Sequence, residues 1–330
     1  MTEPTPLLIL GRADVADLLG WDDCIALVRE AMKAFSAGET RQLPRYILGL
    51  GGGRAYGLMA GGLAEGEGFG AKLISVFPEN HGRGLPSHRG VVLLHEEETG
   101  APVCLADASE ITRIRTAAAS AAATDALARP GAAVLAILGY GEQARAHALA
   151  LARVREIEEI RIWGRDPEKA GRVAADLAAA LALRVEARPS VAAAVSGADI
   201  VCTTTAASEP ILSAGQLMPG AHVNLVGSSR AGPAEADISL VAQSRFIVDS
   251  RDNVLAQGAE FHNAIAAGLV DEGHIAAEIG DVFAGKSVGR QNDEEITVYK
   301  SLGHVVQDIA AIRFLNERAR ACGRGSTIPF

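Results

Sequence analysis

The stretch that decides the fold is VLAILGYGEQARAHALALARV, residues 134–154. Its first five residues form an apolar run, which is typical of a buried strand. The run ends at Gly139-Tyr140-Gly141, and small apolar residues then recur at helical spacing. The stretch therefore predicts a strand, a tight glycine turn and a helix in direct succession.

The turn has the pattern G-x-G-x-x-A, from Gly139 through Gly141 to Ala144. The first glycine permits the tight turn, the second lets the backbone approach a pyrophosphate, and the small third residue lets the helix pack close to the strand. The helix that opens with Glu142 and Gln143 would present its free N–H groups to phosphate. Within a βαβ repeat this pattern predicts dinucleotide binding. The alternative is an α/β domain whose glycines serve packing only.

The region around this turn alternates apolar runs with amphipathic or alanine-rich segments. That alternation predicts a Rossmann-type, doubly wound parallel sheet with helices on both faces, within a Rossmann domain of residues 126–302. Strands buried on both faces read as continuous apolar runs, as these do. The predicted strands are VLAIL (134–138), IRIW (160–163), LRVEA (183–187), DIVCTT (199–204), HVNLVG (222–227) and RFIVD (245–249).

The first 125 residues have a different pattern. A helix is predicted over 22–37, and strand-like pieces with glycine-rich turns then predict a mostly antiparallel β layer. The strand-like pieces are RYILGL, AYGLMA, GAKLISVF, GVVLLHE and PVCLAD. Together with residues 303–330, this region predicts a second, discontinuous α+β domain.

Two helical segments flank the predicted Rossmann domain. Residues 109–128 predict a long helix with Ser109 as its N-cap, ended by Pro130-Gly131 at a domain boundary. The tail EEITVYKSLGHVVQDIAAIRFLNERAR, residues 294–320, also predicts helix. Its apolar stripe consists of Val305, Ile309, Ile312 and Leu315.

The composition disfavours several classes of function. The 330 residues carry a formal net charge of −9 without a basic stripe, which argues against nucleic-acid binding. No apolar run reaches the ~18 residues of a membrane span, and the N-terminus does not resemble a signal peptide. The four cysteines are far apart and form no CxxC, so we expect reduced thiols in the cytoplasm and no metal site.

The end of the second strand of the Rossmann unit bears on the choice of nucleotide. An acidic residue there would bind the ribose 2′-hydroxyl of NAD. Gly164 stands where the acid is expected, and Arg165 follows it, so a guanidinium is available for the 2′-phosphate of NADP. NADP(H) is therefore favoured and NAD(H) stays an alternative. In the other interpretations Arg165 is a solvated charge, or Asp166 is the acid in a register shifted by two.

Seven segments together resemble the ornithine cyclodeaminase/μ-crystallin family, over essentially the full length of the chain. They are AKLISVFPEN (71–80), GLPSHRGVVLLHEEETG (84–100), ITRIRTAAASAAAT (111–124), LGYGEQARAH (138–147), IWGRDPEKA (162–170), VNLVGSSR (223–230) and DEEITVYKSLGHVVQD (293–308). The resemblance implies a homodimer whose discontinuous domain mediates dimerisation and binds substrate, while the Rossmann domain binds NAD(P). The activities that it implies are cyclodeamination of ornithine or lysine, alanine dehydrogenation and the reduction of α-imino acids.

The resemblance also implies roles for individual residues. Arg45 matches an arginine that faces the substrate, Lys72 a lysine near the reacting carbon, and Arg115 the arginine that clamps the substrate carboxylate. A small anionic imino or amino acid needs such fixed cations, and an unpaired Lys72 ammonium among apolar strand residues would be costly. His88 is interpreted as a proton donor or a substrate contact, the alternative being a turn histidine.

A departure at residues 227–230 separates the activities of the family. True cyclodeaminases carry an aspartate in this loop, whereas Ser229 stands at that position here, and a serine cannot act as a carboxylate base. The loop residues Gly227, Ser228 and Ser229 are expected to line the cofactor. So are Thr203 and Thr204 at the end of the fourth strand, although β propensity alone also accounts for threonines there.

These features predict an NAD(P)H-dependent reductase of α-imino acids, either cyclic ketimines or linear imines of 2-oxo acids, that gives an L-amino acid. The first alternative is a cyclodeaminase that uses bound NAD+, and the second an amino acid dehydrogenase of the alanine dehydrogenase kind. A non-catalytic binder of NADPH and small ligands is disfavoured, because such a protein would not need to keep Lys72 and both arginines.

Overall fold

A computed structural model describes residues 6–330. These residues form two compact units, one of residues 6–115 with 304–330 and the other of residues 116–303. The first division lies inside a helix, ten residues before the boundary that the sequence predicts. No helix in the described part of the chain is long and apolar enough to span a membrane.

Strands and α-helices make up most of both units. The strands are β1 (Leu7–Leu10), β2 (Arg41–Gln42), β3 (Tyr46–Gly51), β4 (Arg54–Gly62), β5 (Phe69–Val76), β6 (His88–His95), β7 (Pro102–Asp107), β8 (Val134–Leu138), β9 (Glu159–Trp163), β10 (Arg184–Ala187), β11 (Ile200–Thr203), β12 (His222–Leu225), β13 (Arg245–Val248), β14 (Ile275–Glu278), β15 (Thr297–Lys300) and β16 (Ser326–Ile328). The helices are α1 (Arg12–Leu18), α2 (Trp21–Ser36), α3 (Ala108–Leu127), α4 (Glu142–Leu151), α5 (Pro167–Leu181), α6 (Val191–Val195), α7 (Ile238–Ala242), α8 (Arg251–Gln257), α9 (Ala259–Ala266), α10 (Ile279–Phe283) and α11 (Val305–Cys322).

The first unit is built on a sheet in the order β16-β1-β7-β6-β5-β4-β2, with β3 also paired to β4. Every pair of neighbours is antiparallel except β1 with β7. The predicted, mostly antiparallel layer is therefore confirmed. Helix α11 packs against β4 to β7 and against α2, and its apolar stripe Val305, Ile309, Ile312 and Leu315 is buried as predicted.

The second unit is an eight-stranded, fully parallel sheet in the order β10-β9-β8-β11-β12-β15-β13-β14. All six strands predicted from the sequence are present, and the Rossmann-type fold is confirmed. The first five strands in this order are β10-β9-β8-β11-β12, and β8 is the middle one. In the Rossmann arrangement the glycine turn follows this middle strand.

Two predictions about secondary structure are wrong. Residues 294–304 are not helical, because residues 297–300 form β15 and α11 begins only at Val305. β15 is buried along its whole length between β12 and β13, a position that suits its β-branched and aromatic residues. Ser109 is not the N-cap of α3, because the Asp107 carboxylate accepts the Glu110 N–H at 2.7 Å while the Ser109 hydroxyl donates to the His88 carbonyl.

Candidate functional site

The glycine turn of the second unit has the geometry that phosphate binding requires. Gly139 adopts φ +133°, and a Cβ there would lie 2.5 Å from the Thr204 Oγ1, so only glycine fits. Gly141 precedes α4, which has no side-chain cap, and a Cβ on Gly141 would meet nothing within 4 Å. Ala144 is fully buried in the first turn of α4. The turn thus leaves both the helix N-terminus and the space above Gly141 to a ligand.

The end of β9 explains why no acid stands beside this turn. A Cβ at Gly164 would collide with the Tyr140 ring, so packing of that ring excludes any larger side chain. Asp166 is used as the N-cap of α5, where its carboxylate accepts the Lys169 N–H at 3.1 Å. That hydrogen bond holds the pKa of Asp166 below its usual value. Arg165 is exposed and is the cation closest in sequence to the turn-facing end of β9.

The ends of β11 and β12 are tied together by a glutamate that the sequence analysis missed. The Glu235 carboxylate is fully buried and accepts the Thr203 hydroxyl at 2.6 Å, and the Thr205 N–H and hydroxyl at 2.7 Å each. It also accepts the N–H groups of Gly227 at 2.7 Å and Ser228 at 3.3 Å. The loop that follows β12 is therefore fixed to the end of β11 by one side chain.

Two further buried charged groups support Glu235. The Glu260 carboxylate accepts the Glu235 N–H at 3.1 Å and pairs with the Lys300 ammonium at 2.8 Å. Lys300 also donates to the Ser228 carbonyl at 2.6 Å. We call Glu235, Glu260 and Lys300 the Glu235 network. The sequence contains a weak signal for it, since Glu235 and Glu260 each stand between two apolar residues.

The predicted cofactor residues around this network have distinct surroundings. The Thr203 side chain is buried against Glu235, and the Thr204 hydroxyl donates to the Leu138 carbonyl at 3.2 Å. The Ser228 hydroxyl donates to the Pro233 carbonyl, and Ser229 is half-buried. Their contacts with a cofactor stay predictions, as do those of Glu142 and Gln143 in the first turn of α4.

The first unit brings two of the predicted substrate residues together. Lys72, in the middle of β5, is 2% exposed and donates to the Asp308 Oδ1 at 3.0 Å and to the Thr112 Oγ1 at 2.6 Å. The Arg115 Nε donates to the same Asp308 oxygen at 3.1 Å, and its Nη1 donates to the Gln307 Oε1 at 2.9 Å. We call Lys72, Arg115 and Asp308 the Asp308 cluster.

The Asp308 cluster has more cations than anions. Burial lowers the pKa of Lys72 to about 8, even though the Asp308 carboxylate opposes this shift. Burial alone would raise the pKa of Asp308, yet Arg115 and Lys72 hold it below its usual value. Two of the three ammonium N–H groups and two of the five guanidinium N–H groups are used by neighbours described above. The cluster can therefore accept a further anion.

Arg45 and His88 differ in their relation to the Asp308 cluster. Arg45 lies in the segment that connects β2 to β3 and is half-buried. Its positive charge helps to lower the pKa values of Lys72 and His304. His88 is exposed at the start of β6, four residues before the Val92 that pairs with Lys72. At the strand rise this separation is about 13 Å, so the structure does not bring His88 to the cluster. The roles of Arg45 and His88 stay predictions.

Asp308 and Gln307 are the residues of this cluster that sequence reasoning missed. They interrupt the apolar stripe of α11 in its first turn, and both are fully buried. That interruption is the available signal, because a polar pair on a buried helix face needs partners. Among the side chains that the structure describes, no three His, Cys, Asp or Glu are grouped so as to hold a metal ion.

Comparison with known proteins places the chain in a family. The model of the ornithine cyclodeaminase/mu-crystallin family matches residues 7–323. The chain belongs to this family. The resemblance inferred from the sequence is thereby confirmed.

Individual relatives of this chain include two Δ1-pyrroline-2-carboxylate reductases and an alanine dehydrogenase. A Δ1-pyrroline-2-carboxylate reductase of Bacillus thuringiensis is 36% identical over 326 residues, covering 98% of this chain and 100% of the relative. The structure of the Thermococcus litoralis Δ1-pyrroline-2-carboxylate reductase with NADH and L-proline superposes with a TM-score of 0.94 at 32% identity, covering 97% and 100% of the two chains. An archaeal alanine dehydrogenase dimer with bound NAD gives a TM-score of 0.92 at 29% identity, covering 98% and 99%.

Proposed function

We propose that this protein is an NAD(P)H-dependent reductase that converts α-imino acids, cyclic or linear, into L-amino acids. The observation that carries the proposal is the Asp308 cluster, a buried site with an excess of cations and spare N–H donors. A chain 36% identical over 326 residues acts as a Δ1-pyrroline-2-carboxylate reductase, which supports the same substrate class here.

Both cations of the Asp308 cluster have a task in this reaction. Arg115 presents a planar fork suited to a carboxylate, and Lys72 with Arg45 adds positive charge around it. Lys72 also holds a proton on Nζ that it can donate near neutral pH, because its pKa is lowered to about 8. Holding the substrate in one orientation supplies much of the rate acceleration in such a reaction.

The second unit is proposed to bind the dinucleotide through the Gly139–Gly141 turn and the N-terminus of α4. When bound, the reduced nicotinamide supplies the hydride. The Glu235 network keeps the loop at Gly227 fixed, which is what a pre-organised cofactor site needs.

The cofactor is proposed to be NADP(H), with Arg165 reading the 2′-phosphate. The absence of an acid at Gly164 and the use of Asp166 as a helix cap both support this choice. The Thermococcus litoralis structure contains NADH, so NAD(H) is the competing choice.

The loop at residues 227–230 argues against a cyclodeaminase. Gly227, Ser228, Ser229 and Arg230 offer no carboxylate, and both oxygens of the neighbouring Glu235 already accept hydrogen bonds from threonine side chains or backbone N–H groups. A base for deamination would therefore have to come from elsewhere.

The protein is further proposed to be a homodimer formed through β3. All six residues of this strand are exposed, including Tyr46 (60%), Ile47 (52%) and Leu48 (62%). An apolar strand of this kind is typical of an association surface, and the related archaeal alanine dehydrogenase is a dimer. Light scattering should give twice the chain mass, and Leu48→Asp should shift the protein towards the monomer. A stable wild-type monomer at micromolar concentration would contradict the dimer.

One assay tests the proposed function. The protein is incubated with Δ1-pyrroline-2-carboxylate, with Δ1-piperideine-2-carboxylate and with mixtures of 2-oxo acids and amines, while oxidation of NADPH and NADH is followed. We expect oxidation with at least one imine. Proline formed rapidly from ornithine and NAD+, without net change in the nucleotide, would instead establish a cyclodeaminase.

The four cysteines are unpaired, which supports a reducing cytoplasmic location.

A further inference from the structure

One oxygen of Asp308 has no hydrogen-bond partner within residues 6–330. Oδ1 accepts from both Lys72 and Arg115, whereas Oδ2 accepts from no donor, although the side chain is fully buried. A buried carboxylate oxygen without a donor is costly and rare in folded proteins. Such an atom is expected where a ligand supplies the missing donor.

A second unpartnered atom lies at the same end of the helix. His304 precedes α11 and is 3% exposed, and its Nδ1 likewise has no hydrogen-bond partner in the described chain. Its ring packs on Phe35 at 4.2 Å between centroids. Residues four apart at the start of a helix lie on the same face. His304 and Asp308 therefore leave two buried polar atoms on one side of the first turn of α11.

The other polar groups beside Asp308 are already satisfied within the protein. The Thr112 hydroxyl accepts from Lys72 and donates to the Ala108 carbonyl at 2.5 Å. The Gln307 amide accepts from Arg115 and donates to the Met32 sulfur at 3.3 Å. The free capacity of the site is thus a set of N–H donors on Lys72 and Arg115, the Oδ2 acceptor of Asp308 and the Nδ1 atom of His304.

That capacity matches a molecule with a carboxylate and an N–H group on adjacent carbons. The spare donors suit the carboxylate, and the Asp308 Oδ2 suits a positively charged N–H. We propose that Asp308 accepts the N–H of the substrate's protonated imine and thereby selects imino acids over 2-oxo acids. This inference rests on the proposed function and assigns the group that recognises the nitrogen. The oxygen of a 2-oxo acid carries only lone pairs, so it would face a carboxylate oxygen with no hydrogen between them.

The wild-type protein offers the first test, which needs no variant. Binding of L-proline and of its oxygen isostere, (S)-tetrahydrofuran-2-carboxylate, is measured by calorimetry at pH 7. We expect the nitrogen ligand to bind at least about tenfold more tightly, because its ring N–H₂⁺ can donate to Asp308. Equal affinities in a protein that reduces imines would overturn the inference and leave the proposed function standing. If neither ligand binds and no imine is reduced, the proposed function fails and the inference with it.

Asp308→Asn provides the second test, because its amide can donate to a ketone oxygen. The kcat/KM for Δ1-pyrroline-2-carboxylate and for 2-oxopentanoate is measured with the variant and the wild type. The ratio of the two values should fall by a factor on the order of 100, since a site built for one hydrogen-bond pattern rejects the other. The matched control is Gln307→Met in the same helical turn, which should weaken both substrates alike and leave the ratio unchanged.

If Asp308 had a purely structural role, Asp308→Asn would instead lower both kcat/KM values by the same factor. An unchanged ratio in Asp308→Asn would therefore overturn the inference. If this variant does not fold, the ligand pair on the wild type decides.

Discussion

The two units each bury a cluster of charged side chains, and the clusters differ in how completely they are satisfied. In the Asp308 cluster two cations share one oxygen of a single carboxylate, and the other oxygen accepts no hydrogen bond from the described part of the chain. In the Glu235 network both oxygens of Glu235 accept two or more hydrogen bonds, and Glu260 is paired with Lys300.

We interpret this difference as a difference in role. The Asp308 cluster retains polar groups for a ligand, whereas the Glu235 network stabilises the fold. A buried carboxylate whose two oxygens both accept hydrogen bonds, as in Glu235, holds its surroundings in one arrangement, and removing it leaves several backbone groups without partners. An unsaturated cluster contributes less to stability but retains free donors and acceptors. We therefore expect substitutions in the Asp308 cluster to act on catalysis, and substitutions in the Glu235 network to act on stability.

The largest effect is expected from removing Arg115. Arg115→Ala should mainly weaken substrate binding and lower kcat/KM about 30- to 1000-fold, since a buried charge-assisted contact is worth roughly 2–4 kcal/mol. Steady-state kinetics with an imine substrate measures this. Arg113→Ala is the matched control from the same helix, because Arg113 pairs with Glu110, to which Arg12 is also bound. A similar loss in both variants would contradict a specific role for Arg115.

The next effect is a contrast in stability. Glu235→Ala removes the acceptor of the Thr205, Gly227 and Ser228 N–H groups, and should lower the free energy of unfolding by roughly 2–5 kcal/mol. Lys72→Met should change it by less than about 1 kcal/mol, because burial already disfavours the ammonium and its loss leaves Asp308 paired with Arg115.

Thermal unfolding of both variants measures the contrast in stability, and an imine-reduction assay measures the turnover of each variant. Lys72→Met should have a melting temperature close to that of the wild type and a strongly reduced turnover. A large fall in melting temperature for Lys72→Met, with none for Glu235→Ala, would reverse the comparison between the two clusters.

The sequence predicted the parallel sheet well for a physical reason. Strands buried on both faces are apolar without interruption, so the six runs from residue 134 to residue 249 stand out. β15 was missed because its four residues adjoin a helical pattern, and its burial depends on pairing with β12 and β13. That pairing is a tertiary property, which local patterns do not contain.

Only part of the candidate site could be predicted from the sequence, for a similar reason. Lys72 and Arg115 were assigned through family resemblance, but their common partner Asp308 lies 236 and 193 residues away along the chain. Contacts over such separations leave no local spacing to recognise. The Glu235 network is likewise assembled from three separate segments, so only the fold shows that Glu235 is the acceptor for two strand ends.

The pH dependence of catalysis should follow Lys72. Because burial lowers the pKa of Lys72 to about 8, the ammonium is present below that pH and is lost above it. The kcat/KM for an imine should therefore fall as pH rises through about 8, approaching a tenfold loss per pH unit. Lys72→Arg, whose guanidinium stays protonated, should move this fall to higher pH. Protonation of the substrate itself affects both proteins alike, so an unchanged profile in Lys72→Arg would contradict the assignment.

The smallest effect is expected outside both clusters, at Arg165. This guanidinium is exposed beside the end of β9, so its interaction with a 2′-phosphate is screened by water and salt. Arg165→Ala should raise the KM for NADPH about two- to fivefold and leave the KM for NADH unchanged, with the difference shrinking as ionic strength increases. Arg172→Ala is the control, an exposed arginine of α5 that pairs with Glu168 and should alter neither constant. Equal changes for the two nucleotides, or a wild type that strongly prefers NADH, would exclude Arg165 as the selector. Either result would leave the Gly139 turn as the proposed dinucleotide site, because a turn of this kind binds phosphates that both nucleotides share.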